Sequence, residues 1–384
     1  MKYYQAQVDS LGKLICILSR HPGAMLRGEE GTGKTIISAQ VASQFYKALY
    51  IAPAKAIPDI KKKLKQYQEE YGITHNIEDV ISYDKFKDEH KVTAWSLRKY
   101  PLLIFDECHI MKGWGHGATQ RMRRLSLNGR KFLFMSGTPK ITSEFDLIYC
   151  LRQCGLWKNK SMDDIKIRYF NAVPSRYHRG LIKGDFTRGE EFYSHTKKVT
   201  VGLTQKMVDP DIAEMVIKEI NYNIEAKPFD GITKETEIRR QNGLLKAQNA
   251  GTDIREISCT EKGPFLVLTH FHDVATEVAN RIGCPVALTS DKVYKGFEDL
   301  RRGKEHILVT TLGLTQSSLD LNECNHVFMV ESTYAFATDR QSIRRCLRIG
   351  KRDTLNVYYF KLKNERPVAI SMGRKHLTEI KGAQ

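Results

Sequence analysis

Short apolar runs alternate with longer polar, helix-like stretches in two parts of the chain. In residues 1–150 the runs are KALYIAP, PLLIFDE and KFLFMSG; in residues 262–384 they are PFLVLTH, HILVTT, HVFMVE and NVYYFKL. β-branched and aromatic runs of this length, spaced by helical stretches, predict parallel strands joined by crossovers. Residues 155–260 differ. They are rich in Lys, Glu, Asp and Tyr, and IAEMVIKEI at 212–220 has helical periodicity. GTDIREISCTEKGP at 251–264 reads as a linker into the second lobe. The pattern therefore predicts an α/β protein with two doubly wound parallel-sheet lobes and a mainly helical insertion between them. The expected boundaries are 1–154, 155–261 and 262–384.

A length of 384 residues suits two or three domains with a sizeable core. Apolar residues make up 41% and the mean hydropathy is −0.42, which is the soluble globular range. The apolar runs are too short to span a bilayer, and MKYYQAQVDS lacks the basic-then-apolar order of a secretory signal. The expectation is an intracellular protein, cytoplasmic or nucleoid-associated, or nuclear in a eukaryote, with no membrane partner. Eight scattered cysteines are not a disulfide scaffold, and Cys150 with Cys154 reads as a structural pair. The formal net charge of +17 changes the picture more. Basic groups at 61–65, 121–124, 239–240, 301–304 and 344–345 favour a polyanion, and nucleic acid first, as the partner.

The candidate chemistry begins at GEEGTGKT, Gly28 to Thr35. It matches the phosphate-loop pattern, and MLRG before it and TIISAQVASQFY after it supply the strand and helix that the pattern requires. Gly28, Gly31 and Gly33 let the backbone, Thr32 included, turn its N–H groups inward on phosphate oxygens, helped by the positive end of the helix. Lys34 is placed to reach the β and γ phosphates of ATP, and Thr35 to ligate Mg²⁺. A second expected metal ligand is Asp106, at the C-terminal end of the apolar run Leu102–Phe105. Next to it, Glu107 is placed to orient and deprotonate an attacking water, which suits hydrolysis of ATP better than its use by a kinase.

DECH at 106–109 resembles the DExH box of superfamily-two helicases and translocases, and its continuation DECHIMKG is similar to the Swi/Snf-type DNA translocases. SGTP at 136–139 resembles the third motif of that family, IAPA at 51–54 motif Ia, and ISYDKF at 81–86 motif Ib. YYQAQ resembles the N-terminal glutamine motif, which implies that Gln5 reads adenine. QSIRRCLRIGKRDTLNVYYF at 341–360 resembles the last motif, opening on Gln341, and implies that Arg345 and Arg348 are arginine fingers. A guanidinium brought from a second lobe stabilises charge on the transferred phosphoryl group. His109, Ser136 and Thr138 are implied to couple the ATP site to the track.

The resemblance implies two RecA-like lobes in a minimal motor that uses ATP and Mg²⁺ to move on duplex or branched DNA, with recombination or replication proteins as partners. Its track contacts would be Lys55, Ser82, Tyr83, Lys112, Arg121, Arg123 and Arg124 on the first lobe and His270, Thr310 and Thr311 on the second. Trp114, between glycines, reads as a loop tryptophan. The chain departs from the family pattern at TTLGLTQSSLDL, where Thr315, Gln316, Ser317 and Ser318 stand near expected glycines and Asp320 replaces Asn. Lys351 replaces the final glutamine of the last motif. A strand-separating or branch-migrating helicase, on DNA or RNA, and a nucleic-acid clamp with weak ATPase activity are the alternatives.

Overall fold

The structure, a computed structural model, describes residues 4–93, 95–111, 120–122, 129–137, 144–174, 181–182, 184–228, 234–315, 321–332 and 336–365. The chain divides into two compact units, Met1–Val208 and Asp209–Gln384.

The first unit opens with α1 (Gln5–Arg20), β1 (Gly23–Gly28), α2 (Lys34–Ala42), β2 (Ala48–Ala52), α3 (Ile57–Glu69), β3 (Ile77–Ser82) and α4 (Tyr83–Lys87). It continues through β4 (Leu102–Phe105), β5 (Lys131–Ser136), α5 (Ile148–Gln153) and α6 (Met162–Phe170). A short antiparallel pair, β6 (Val173–Pro174) and β7 (Leu181–Ile182), leads to α7 (Gly189–Thr196), β8 (Thr200–Leu203) and the single turn α8 (Gln205–Val208). Six strands form one sheet in the order β3-β2-β4-β5-β1-β8, with every pairing parallel.

β2 and β4 are buried along their whole length, which is why both read as unbroken apolar runs. In α1 the buried positions Gln7, Ser10, Leu14 and Leu18 recur at helical spacing and form one face. The core on one side of the sheet is aromatic: Phe105 stacks on Phe134 at 5.4 Å and meets Phe86 edge-on at 5.4 Å.

Residues 155–208 do not stand apart as an insertion. β8 extends the first sheet beside β1, from Met25↔Thr200 to Gly28↔Leu203. Trp157, Tyr169, Phe170 and Phe192 pack against the same core. Charge and tyrosine content suggested a separate segment, but these apolar side chains have a face to cover only within the first unit.

The second unit contains β9 (Met215–Glu225), α9 (Glu235–Thr260), β10 (Phe265–Thr269), α10 (His272–Ile282), β11 (Val286–Ala287), α11 (Ser290–Arg301), β12 (Ile307–Thr311), the single turn α12 (Leu312–Thr315), β13 (His326–Met329), α13 (Phe336–Arg344) and β14 (Leu355–Lys363). Its sheet runs β11-β12-β10-β13-β14-β9, again all parallel. Both units thus have the parallel-sheet α/β class that the sequence predicts.

Two local expectations are corrected here. The helix expected over 212–220 is an edge strand, β9, paired in register with β14 from Leu355↔Met215 to Leu362↔Tyr222. Partly covered and exposed positions alternate along most of it, the period of a strand with one covered face. The linker expected at 251–264 is largely helix, because α9 runs to Thr260. Gly243, Ala247, Ala250, Gly251 and Ile254 are among its buried residues, so Gly251, which opened the expected linker, lies on the packed side of the helix.

Asp209 is the first residue of this unit and is buried. Its Oδ2 accepts from the Gly350 N–H at 2.8 Å and from the Arg352 guanidinium at 2.9 Å. The Arg352 hydrogen bond outweighs burial and, with Gly350, holds the carboxyl below the usual carboxylate range. Asp209→Asn is expected to lower the stability of the chain to urea by about 1–3 kcal/mol at neutral pH. A depressed carboxylate stabilises fully above its unfolded pKa, so the difference from wild type should shrink as pH falls below about 4.

Candidate nucleotide-binding site

The phosphate loop joins β1 to α2. Gly31 and Gly33 have φ of 82° and 88°, in the left-handed region that favours glycine. A side chain at Gly33 would also strike the Gln7 carboxamide, which donates to the Thr32 carbonyl at 2.9 Å. Lys34 folds back so that its ammonium donates to the carbonyls of Gly28 (2.9 Å) and Glu29 (3.1 Å). The buried Thr32 hydroxyl closes the turn on Glu29 O at 2.8 Å.

The loop is braced from a part of the chain where no site residue was expected. Glu29 N–H donates to Leu203 O at 2.9 Å, and the Glu29 carboxylate accepts from Gln205 N–H at 2.8 Å. The Gln205 carboxamide donates to Glu30 O at 2.8 Å. Each contact depends on β8 lying beside β1, so local sequence carries no signal for it.

Asp106 and Glu107 leave the buried end of β4, two strands from β1. Asp106 is gripped by two tyrosines. The Tyr50 hydroxyl, on β2, donates to Asp106 Oδ2 at 3.0 Å, and the Tyr83 hydroxyl donates to Asp106 O at 2.7 Å. The Thr35 and Ser38 hydroxyls lie beside the Tyr50 hydroxyl. Burial first, and then the Asp106 charge, pushes the Tyr50 phenol well up, so it stays a proton donor. Its one sequence signal is a tyrosine inside the otherwise aliphatic run ALYIA.

Glu107 has φ 49°, a conformation that strains a side-chain-bearing residue. Its Oε2 accepts from the Ser136 hydroxyl at 3.3 Å and lies 3.3 Å from His109 Nδ1, which is 3.2 Å from Ser136 Oγ. The two carboxyls are pushed apart. Burial and the neighbouring Glu107 charge raise Asp106, while Lys34 opposes them. For Glu107 burial also acts upward, but His109, Lys34 and Ser136 together hold it low. A low-lying Glu107 is ionised and able to accept a proton.

Lys34, Thr35, Asp106, Glu107, His109 and Ser136 therefore come together in the first unit, with Gly28, Gly31, Thr32 and Gly33. Oxygen donors from Asp106 and Thr35, beside inward-facing loop groups and the Lys34 ammonium, fit a small divalent cation held with phosphate. Gln5 is exposed and its carboxamide bonds Asp9 at 2.8 Å; the glutamine that touches the loop is Gln7.

In the second unit Arg345 and Arg348 follow α13 and are partly buried. Arg345 O accepts from Leu321 N–H at 3.1 Å, and Arg348 N–H donates to Asn322 Oδ1 at 3.1 Å. Lys351 is buried, its ammonium on Asn322 O, Cys324 O and Asn325 Oδ1, so it serves the fold of this unit. Gln341 lies in α13, and its side chain is outside the described residues, as are Lys112, Trp114, Arg123, Arg124, Thr138 and residues 316–320.

The expected track contacts divide by burial. Lys55 is exposed, His270 is half-buried with its ring edge-on to Phe271, and Ser82 caps α4 by accepting from Lys85 N–H at 3.0 Å. Four others point inward and are corrected. Tyr83 holds Asp106 O. Arg121 is buried; its guanidinium lies over the Phe86 ring and bonds the carbonyls of Phe86 and Asp88. Thr310 is buried and donates to Ala287 O at 2.8 Å, and Thr311 is buried beside it. These polar residues looked like surface, but the Tyr83 and Thr310 hydroxyls and the Arg121 guanidinium satisfy backbone inside their own unit.

No protein-family model matches the chain. A curated relative, the SWI/SNF-related matrix-associated actin-dependent regulator of chromatin subfamily A-like protein 1 homolog of Caenorhabditis elegans, is 24% identical over 186 residues. That match covers 43% of this chain and 26% of the relative, so the chain spans about a quarter of the relative's length. Among solved structures, the Sulfolobus solfataricus SWI2/SNF2 ATPase core in complex with dsDNA is 15% identical, with a TM-score of 0.46. This likeness covers 94% of this chain and 88% of that one.

Arg121→Ala is expected to destabilise the chain by about 2–3 kcal/mol in urea unfolding, because it strands buried carbonyls. An exposed phosphate contact at that position would change stability by less than about 0.5 kcal/mol.

Proposed function

We propose that this chain is an ATP-dependent DNA translocase of the Swi/Snf type, a DNA-stimulated ATP hydrolase. One observation carries the reading. Lys34, the Asp106–Glu107 pair and Ser136 meet at the C-terminal ends of three neighbouring strands, β1, β4 and β5. The motif resemblance at 28–35, 106–109, 136–139 and 341–350, the SWI/SNF-related name of the curated relative and the +17 charge support it.

The loop backbone and Lys34 bind the phosphates of ATP. Thr35 and Asp106 would hold Mg²⁺, which when bound neutralises charge on the phosphate oxygens. Tyr50 and Tyr83 keep Asp106 in place. Glu107, ionised, orients a water and takes its proton. Ser136 and His109, both touching Glu107, relate its position to the third motif. Gln5 reads adenine, and Arg345 and Arg348 supply the positive charge that the transferring phosphoryl group needs. Hydrolysis then requires the two units to come together around the nucleotide, and product release separates them. Exposed Lys55 and half-buried His270 and Ser82 remain the described track contacts, and contacts of this kind grip phosphate without reading sequence.

ATP hydrolysis by the full chain, with and without duplex DNA, tests the reading. Stimulation of several-fold or more is expected. Lys34→Ala should abolish it, Glu107→Gln should lower turnover by about a hundredfold or more, and Arg348→Ala by about a thousandfold or more. Normal turnover in Glu107→Gln removes that residue as the base. Displacement of a third strand from a triplex, with a plain duplex left intact, distinguishes translocation from unwinding. Stimulation by RNA alone would overturn the assignment to DNA.

A further inference from the structure

Among the described residues, the phosphate loop holds a buried carboxylate that the mechanism above does not use. Glu30 lies in the phosphate loop and is 6% exposed. Both of its carboxylate oxygens are shielded from solvent, and among the described residues neither has a hydrogen-bond partner. Its neighbour Glu29 contrasts with it, since the Glu29 carboxylate is held by Gln205. A side chain on Gly137 would lie 2.9 Å from Glu30 Oε1 and 3.1 Å from Lys34 Nζ. The carboxylate and the ammonium therefore flank one small space at the end of β5. In that space Lys34 is engaged by the carbonyls of Gly28 and Glu29.

A buried carboxylate without a donor destabilises the fold that contains it. Inside a loop shaped for phosphate it has a second effect. It repels a bare polyanion, and it repels much less an anion that arrives with a divalent cation, whose charge offsets the phosphate's. We infer that Glu30 is a specificity-determining residue that makes the phosphate loop take the magnesium complex of a nucleoside triphosphate in preference to the free anion. The inference rests on the nucleotide-binding reading of this loop. It also accounts for a charge that loop geometry does not need: the positive-φ glycines shape the turn without it.

The test uses the full chain and a fluorescent ATP analogue, with affinity read by anisotropy in excess Mg²⁺ and in excess chelator. Wild type should bind tightly with Mg²⁺ and weakly without it. Glu30→Gln should strengthen binding in chelator by about tenfold or more while changing binding in Mg²⁺ by less than about threefold. Thermal unfolding without nucleotide gives an independent readout. Removal of the buried Glu30 charge by Glu30→Gln or Glu30→Met should raise the melting temperature by about 2 °C or more. An unchanged ratio of the two affinities in Glu30→Gln overturns the inference, and so does a fall in melting temperature in both variants. A wild-type chain that binds the analogue under neither condition overturns the nucleotide reading and this inference with it. Wild-type binding with an unchanged variant ratio overturns this inference alone.

Discussion

The first unit is organised around two adjacent, half-buried carboxylates, Asp106 and Glu107, at the end of a fully apolar strand. Neighbouring negative charges in a low-dielectric site repel each other and lose hydration. Each therefore needs its own set of partners. Asp106 has the hydroxyls of Tyr50 and Tyr83, one on its carboxylate and one on its carbonyl. Glu107 has Ser136 and His109. Lys34, from the loop after β1, acts on both. The result is one carboxyl raised and one lowered. The backbone turns into the left-handed region at Glu107, where the chain leaves the strand.

The same constraint explains why the sheet order matters more than any single motif. β1, β5 and β4 are neighbours, so the loop lysine, the Ser136 hydroxyl and the acid pair open at one edge. Such an edge, at the carboxyl ends of parallel strands, is where open α/β sheets hold ligands. β8 completes the arrangement from the other side of β1, and the turn that follows it braces the phosphate loop through Gln205. Four positions further along the chain, Asp209 holds the segment just after Arg348 within the second unit.

Much of the site was legible from spacing alone. A phosphate loop must have its glycines, lysine and threonine at fixed offsets, because the backbone itself does the binding. An apolar run ending in two acids must place them at a strand mouth. The side chains whose partners are distant in sequence were not legible. Tyr83 and Arg121 looked like track contacts because a polar residue near a motif has no visible direction until its neighbours are known. Thr310 and Thr311 looked the same and are buried. Tyr50 and Gln205 lie in no motif, Gln7 and Glu30 are variable positions within one, and their importance follows from what lies across from them.

The sequence by itself determined the α/β class of both units, the location of the phosphate loop and the position of the acid pair, since periodicity, chain geometry and fixed spacing act locally. Tertiary structure alone decided that residues 155–208 and 209–261 belong to different units. An edge strand such as β8 or β9 gains its hydrogen bonds from a partner far away in the chain, so its own residues do not announce which sheet will take it. It also decided which polar side chains face inward, because hydrogen bonds to Asp106, to the loop carbonyls and to Ala287 exist only once separate strands lie side by side.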